Sequence, residues 1–119
     1  MWEPIPFEAL YDMILAFEKE EQGELYNLWE IIKITPQKWQ EPGYGDEGGG
    51  FWVVAIAGER VIWYNDIEEG FNISRYKTYG TIAEYWCNQS DLKSALIQIQ
   101  YMLRHGGGIT GQAGPPLSF

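Results

Sequence analysis

Residues 50–76, GFWVVAIAGERVIWYNDIEEGFNISRY, decide the fold of this chain. Residues 51–57 and 60–64 form two apolar runs that are rich in aromatic and β-branched side chains. Runs of this length are short for helices and typical of strands. Only Gly58 and Glu59 separate them, and a glycine in the first position of a two-residue connection suits a type II′ turn. The stretch therefore predicts a tight antiparallel β-hairpin.

The first of these two strands is predicted to lie inside the sheet. Successive side chains of a strand point to opposite faces. Strict alternation divides the run into two sets, of which one is Phe51, Val53, Ala55 and Ala57 and the other is Trp52, Val54 and Ile56. Because neither set contains a polar residue, we expect both faces of this strand to be covered.

Residues 71–76 alternate in the same way and predict a third strand, which should be half exposed because every second side chain is polar. Residues 81–86 are a candidate fourth strand. Residues 24–34 fit either a helix or a strand; we expect a short helix to about Glu30 and a strand from Ile31 into the forties. Pro36 would then mark a sheet edge or a bulge.

Helices are predicted at both ends of the chain. The apolar residues near the N-terminus recur with helical spacing, at Phe7, Leu10, Tyr11, Ile14 and Phe17. A second amphipathic stripe comprises Leu92, Ala95, Leu96, Ile99, Met102 and Leu103. Residues 88–91, NQSD, supply capping side chains for its start.

The order of these elements predicts an α+β domain with N-terminal helices, an antiparallel β-meander of about four to five strands, and a C-terminal helix packed on the sheet. We expect residues 1–105 to form this single domain.

The glycine-rich residues 41–50 predict a flexible hinge beside the sheet. Residues 106–119 are rich in glycine and proline and predict a flexible tail, whose last three residues are expected to be disordered rather than docked.

The net charge argues against binding to nucleic acids or anionic membranes. The chain has 119 residues with 8 Lys and Arg against 17 Asp and Glu, which gives a net charge of −9. Nucleic-acid binding depends on cationic side chains that neutralise phosphates. No apolar run approaches the roughly 20 residues that span a bilayer. The N-terminal residues do not resemble a signal peptide, so a cytoplasmic protein is expected.

The usual catalytic and metal-binding sets are missing from the sequence. Cys87 and His105 are the only residues of their types, and the intervening helix would separate them by roughly 22 Å, too far for a nucleophilic pair. Two such ligands are also too few for a zinc site. The GxGxxG letters at residues 43–48 precede a strand instead of following one, so they do not predict a dinucleotide site. No cofactor is predicted, and enzyme activity is left open, with a non-catalytic role favoured.

The candidate binding site is the acidic loop with the aromatic residues beside it. Its members are Trp63, Tyr64, Asn65, Asp66, Glu68, Glu69, Asn72 and Tyr76. Carboxylates and amides at this density could bind Ca²⁺ or Mg²⁺, or act as a general acid and base, although the spacing is not that of an EF-hand. The simpler interpretation is a turn with solvated carboxylates. No metal is assigned.

A second acidic run lies at residues 18–24, EKEEQGE, where the first helix ends. It could serve as an acidic docking face for another protein. A solvated helix end is the simpler interpretation, and we preferred it.

Residues 52–76, together with GTIAEYWCNQSDL at residues 80–92, resemble a family of small bacterial proteins with no assigned activity. The helix-then-meander outline is also similar to that of the SMI1/KNR4 superfamily, which includes toxin-immunity and regulatory proteins. The acidity and the missing catalytic sets lead us to expect a small, acidic, non-catalytic protein-binding or regulatory module, for which an immunity-like role is one form. The alternative is a small-ligand or metal-dependent enzyme that uses Asp66, Glu68 and Glu69. The oligomeric state is left open.

Overall fold

The computed structural model describes residues 2–115. Three helices and four strands follow one another as α1 (Phe7–Glu20), α2 (Glu24–Ile32), β1 (Lys33–Trp39), β2 (Phe51–Ala57), β3 (Arg60–Asn65), β4 (Gly70–Arg75) and α3 (Leu92–His105). The strands form one antiparallel sheet in the order β1-β2-β3-β4, and α3 packs on it. The predicted α+β architecture is confirmed.

The central hairpin forms as predicted. Ala57 pairs with Arg60 across the turn, so the connection contains only two residues. Gly58 has φ of 61°, whereas Glu59 is not among the residues of positive φ, which is the pattern of a type II′ turn. Strand β2 lies between β1 and β3 and is covered on both faces.

The predicted division of β2 into two faces is wrong in its second half. Val53 pairs with Trp63 and Ala55 with Ile62. Because Trp63 and Ile62 are consecutive in β3, Val54 is an extra residue with no partner of its own. Such a β-bulge reverses the alternation that follows it. Ala55 therefore joins Val54 on the side of the helices, while Ile56 packs on the opposite side with Phe51 and Val53.

All three helices pack on one face of the sheet, which we call the helix side. Its core contains residues from every helix and from β2, β3 and β4, namely Leu10, Ile14, Leu25, Trp29, Ile32, Val54, Ala55, Ile62, Tyr64, Phe71, Ile73, Leu92, Ala95, Leu96 and Ile99. Asp91 caps α3 as expected, because its side chain accepts a hydrogen bond from the Ser94 amide. No helix within residues 2–115 is long and apolar enough to cross a membrane.

The other face of the sheet is covered by an irregular stretch, residues 82–90, which we call the covering segment. The fourth strand predicted at residues 81–86 does not form; only isolated bridges at Thr81 and Ser90 remain. A second core beneath the segment contains Trp39, Phe51, Val53, Val61, Trp63 and Ile82. The prediction that the third strand is half exposed is also wrong. Residues 70–74 are all buried, because the segment covers the polar side chains of β4.

Residues 24–34, which fitted either a helix or a strand, change from helix to strand close to the predicted point between Glu30 and Ile31. Helix α2 continues to Ile32, and β1 begins at Lys33. Strand β1 forms one edge of the sheet, and its register with β2 shifts between Lys33 and Gln37, around Pro36. The predicted edge and bulge are therefore confirmed. A proline is tolerated there because an edge strand needs only one of its two rows of backbone bonds.

The glycine-rich stretch at residues 41–50 is a packed turn, where we predicted a flexible hinge. The buried Glu41 carboxylate accepts hydrogen bonds from the amides of Tyr44 and Gly45. Gly50 has φ of 96°, and a Cβ there would lie 2.3 Å from the Trp39 carbonyl oxygen. Glycine is needed at this position by both conformation and space.

The packed structure continues beyond the predicted domain boundary at His105. Ile109 packs against the helix-side core, and Gln112 and Ala113 are hydrogen-bonded to the sheet and to the covering segment. Flexibility of the tail stays a prediction. The final residues for which we predicted disorder, Leu117 to Phe119, lie outside the described residues.

Candidate functional site

The acidic loop between β3 and β4 is organised around a buried amide. The Asn65 side chain is fully buried. Its Oδ1 accepts hydrogen bonds from the amides of Ile67 and Glu68, and its Nδ2 donates to the Tyr85 hydroxyl and the Trp86 carbonyl oxygen. The amide therefore forms the turn and also binds the covering segment, so Asn65 is a structural residue.

The carboxylates of the loop do not converge. Asp66 Oδ2 accepts a hydrogen bond from the Ile5 amide at 2.7 Å, which attaches the N-terminal residues to the sheet. Glu69 is exposed and lines a separate cleft on the helix side. Within residues 2–115, no group of three or more His, Cys, Asp or Glu side chains could hold a metal ion. The geometry gives no support to a metal or acid–base site built from Asp66, Glu68 and Glu69.

The aromatic members of the predicted site lie on different sides of the sheet. Trp63 is fully buried beneath the covering segment, and Tyr64 is buried in the helix-side core. Tyr76 donates its hydroxyl to the Gly58 carbonyl oxygen at the far end of the hairpin. These three residues cannot present one aromatic surface to a partner.

Two polar side chains of β4 hold the covering segment from below. Asn72 Nδ2 donates to the Asn88 carbonyl oxygen, and Asn72 Oδ1 accepts from the Asn88 amide. Ser74 accepts a hydrogen bond from Trp63 Nε1 and donates to the Glu84 carbonyl oxygen. These side-chain bonds add to the two backbone hydrogen bonds that join the segment to β4, from the Phe71 amide to the Ser90 carbonyl oxygen and from the Ala83 amide to the Arg75 carbonyl oxygen.

Burial raises the pKa of Asp66, and the Ile5 amide and the Lys38 ammonium act in the opposite direction. Asp66 Oδ1 is buried with no hydrogen-bond partner among the described residues. A raised pKa means that the folded protein binds this proton more tightly than the unfolded chain does, so ionisation lowers stability. This loss of folding stability is absent below the ordinary aspartate pKa of about 4 and complete above the raised pKa of Asp66.

We therefore expect Asp66→Asn to gain stability relative to the wild-type protein as the pH rises from about 3 to about 7. Asparagine retains an oxygen for the Ile5 amide but carries no charge. The measurement is urea-induced unfolding of both proteins across this range. The contributions of the other acidic groups largely cancel in the difference between the two unfolding free energies. A difference that is independent of pH, or that falls as the pH rises, would contradict the inferred pKa.

The fold also forms a cleft of about 580 Å³ on the helix side. Helix α1 forms one wall, the β3–β4 turn forms a second, and the start of α3 forms the third. Its lining residues are Met13, Ala16, Phe17, Glu20, Glu21, Tyr64, Glu69, Gly70, Phe71, Gln89, Ser90, Asp91, Leu92 and Lys93. We refer to this feature as the cleft.

The cleft combines apolar and acidic lining residues. Met13, Phe17 and Phe71 contribute apolar surface, and four carboxylates face one ammonium group among its lining residues. That ammonium, on Lys93, is 3.3 Å from Glu21. Glu20 and Glu69 have no salt-bridge partner within residues 2–115. The cleft is therefore suited to a group that is both apolar and cationic.

Tyr64 is the polar group deepest in this lining. Only 7% of the residue is exposed, and the residue lines the cleft. Burial raises its pKa, and the charges of Glu69 and Asp66 raise it further. The hydroxyl is therefore neutral at physiological pH and available to donate or accept a hydrogen bond.

Most of the cleft was not predicted from the sequence. The EKEEQGE run did contain a signal, since Glu20 and Glu21 line the cleft. Tyr64 and Glu69 were predicted as binding residues, but as part of the acidic loop and its neighbouring aromatic residues. Their meeting with α1 and α3 depends on how distant elements pack, which local spacing does not reveal.

Comparison with known proteins identifies no relative. No family model, no curated protein and no solved structure matches this chain. The resemblances stated above therefore stay predictions, and the function must be inferred from the geometry.

Proposed function

We propose that the protein is a small, acidic, non-catalytic protein-binding module, and that the cleft receives a basic segment of its partner. The observation that carries the proposal is that the cleft combines apolar side chains with an excess of carboxylates, four against one ammonium group. Arginine and lysine have apolar stems and cationic heads, and they match this combination. A regulatory or immunity-like role would use the same site.

The arrangement of the cleft favours binding of an arginine or lysine side chain over binding of a small inorganic cation. The aliphatic stem would pack on Phe17 and Phe71, while the cation would reach the carboxylates of Glu20 and Glu69. Neither carboxylate has to break a salt bridge among the described residues to accept it. The net charge of −9 would also speed the encounter with a basic partner.

The charge of the cleft is tested by fluorescence anisotropy with a labelled peptide of repeating arginine, leucine and glycine. We expect the double variant Glu20→Lys with Glu69→Lys to bind it at least about tenfold more weakly than wild type. The matched control is Glu8→Lys with Asp12→Lys, which makes the same change in charge at exposed residues of α1 outside the cleft. An equal loss in both variants would show diffuse attraction and contradict the proposed site.

The shape of the cleft is tested separately from its charge. Ala16 lines the cleft and is exposed, so Ala16→Trp should block binding of the same peptide without altering any carboxylate. Ala9→Trp, at an exposed residue of α1 outside the cleft, is the control. Unchanged affinity in Ala16→Trp would exclude the cleft as the binding site.

A further inference from the structure

Residues 109–113, which we call the strap, lie across the outer edge of β4. Gln112 Nε2 donates to the Ile73 carbonyl oxygen at 2.6 Å. Strand β4 ends the sheet on this side, and an uncovered edge would present unpaired backbone groups to other chains. Residues 83–90 already bond the Phe71 amide and the Arg75 carbonyl oxygen of this edge, and the strap completes its cover at Ile73 between them.

Three further hydrogen bonds involve the backbone of the strap. The Asn88 side chain donates to the Gly111 carbonyl oxygen at 2.9 Å and accepts from the Ala113 amide at 2.8 Å. The Cys87 amide donates to the Ala113 carbonyl oxygen at 2.6 Å. The groove formed by Ile73, Cys87 and Asn88 thus binds the strap mainly through its main chain.

The connection between α3 and the strap consists of three glycines, Gly106, Gly107 and Gly108, of which the first two have φ of 77° and 81°. A Cβ at either of those two positions would meet nothing within 4 Å, and glycine adopts more backbone conformations than any other residue. Within the strap, Ile109 packs against the helix-side core, whereas Gly111 and Ala113 are exposed.

We propose that two copies of the chain exchange their straps, so that the strap of each copy occupies the β4 groove of the other. Every hydrogen bond described above can be made equally well between copies, since only the glycine connection has to change conformation. The three glycines span at most roughly 11 Å when extended. Exchange therefore requires the C-terminal ends of the two α3 helices to lie close together.

The exposed surface of α3 favours a second copy as the occupant. Ile97 is 47% exposed and Tyr101 is 64% exposed, and they lie one turn apart on the helix. Both would be covered when two α3 helices approach near the glycine connection. The net charge of −9 opposes this association, so the dimer should form at high protein concentration and moderate salt.

Shortening the connection should make the exchange obligatory. Deleting Gly107 and Gly108 shortens the connection by roughly 7 Å, which should prevent the strap from reaching its own groove, while Gly106 still ends α3. We expect this variant to be a dimer by light scattering. Adding Asn88→Ala should weaken the dimer by at least about tenfold, because two strap contacts are lost. Gln89→Ala, at the neighbouring exposed residue, should leave it intact. A monomeric shortened variant, or a dimer unaffected by Asn88→Ala, would overturn the proposal.

The unaltered chain provides a second measurement. In a concentrated mixture of isotope-labelled and unlabelled protein, exchange predicts intermolecular NOEs between Ala113 of one copy and Asn88 of the other. NOEs that arise only within one copy under these conditions would overturn the exchange, whatever the variants show.

Discussion

Asn65→Ala is expected to lower the free energy of unfolding by about 3 to 5 kcal/mol, because it leaves the half-buried amides of Ile67 and Glu68 and the Trp86 carbonyl oxygen without their partner. Each buried polar group that loses its hydrogen bond costs about 1 to 3 kcal/mol. Alanine also leaves a small cavity at a fully buried position. A loss of this size is large compared with the total stability of a typical domain.

Urea-induced unfolding measures this loss, with Asn27→Ala as the matched control. Asn27 is exposed on α2 and makes no side-chain hydrogen bond within the described residues, so its replacement should change stability by less than about 0.5 kcal/mol. If Asn65→Ala cost no more than the control, the buried amide would not be holding the loop and the covering segment.

Gly70→Ala is expected to destabilise the protein by about 2 to 4 kcal/mol, because the new methyl group would overlap the backbone of the covering segment. A Cβ at Gly70 would lie 2.3 Å from the Asn88 carbonyl oxygen and 2.4 Å from Gln89 Cα. No side-chain rotation can relieve contacts with main-chain atoms. Residues 88–90 must therefore move away from β4, and the bond from the Phe71 amide to the Ser90 carbonyl oxygen is lost.

The matched control for this change is Gly114→Ala. Gly114 does not have a positive φ, and a Cβ there would meet nothing within 4 Å. The alanine should change the unfolding free energy by less than about 0.5 kcal/mol in a urea titration. Equal effects at both glycines would contradict the close approach of the covering segment to β4.

The parts of the fold that the sequence predicted are those set by neighbouring residues. The hairpin depends on two apolar runs and on Gly58, and helix α3 depends on its apolar stripe and on the Asp91 cap. Each signal lies within about 15 residues of chain, a range over which periodicity and turn chemistry are informative.

The parts that were missed depend on contacts between distant residues. The bulge at Val54 cannot be read from an unbroken apolar run, because every residue in the run is apolar on either face. Asn72 and Ser74 were read as exposed because alternation normally places polar side chains in solvent. Here they bind residues 10 to 16 positions further along the chain.

The candidate site was missed for the same reason. Asn65 and Asp66 were correctly recognised as polar groups at the end of a rigid sheet, but their partners, Trp86 and Ile5, are about 21 and 61 residues away. The cleft joins α1 to the start of α3, and no sequence pattern indicated that these helices enclose a space together. The acidic run at the end of α1 was the one local signal, and solvation was the simpler interpretation.

The central claim is that buried side-chain amides of β3 and β4 hold residues 82–90 on the sheet, which makes Asn65 of the acidic loop a structural residue. The most direct test is hydrogen exchange at the Asn88 amide, which donates to Asn72 Oδ1 at 2.8 Å. We predict that exchange there is slowed at least about a thousandfold in the wild-type protein, and that this protection is largely lost in Gly70→Ala. Exchange of the wild-type Asn88 amide at the rate of an exposed loop would contradict the account.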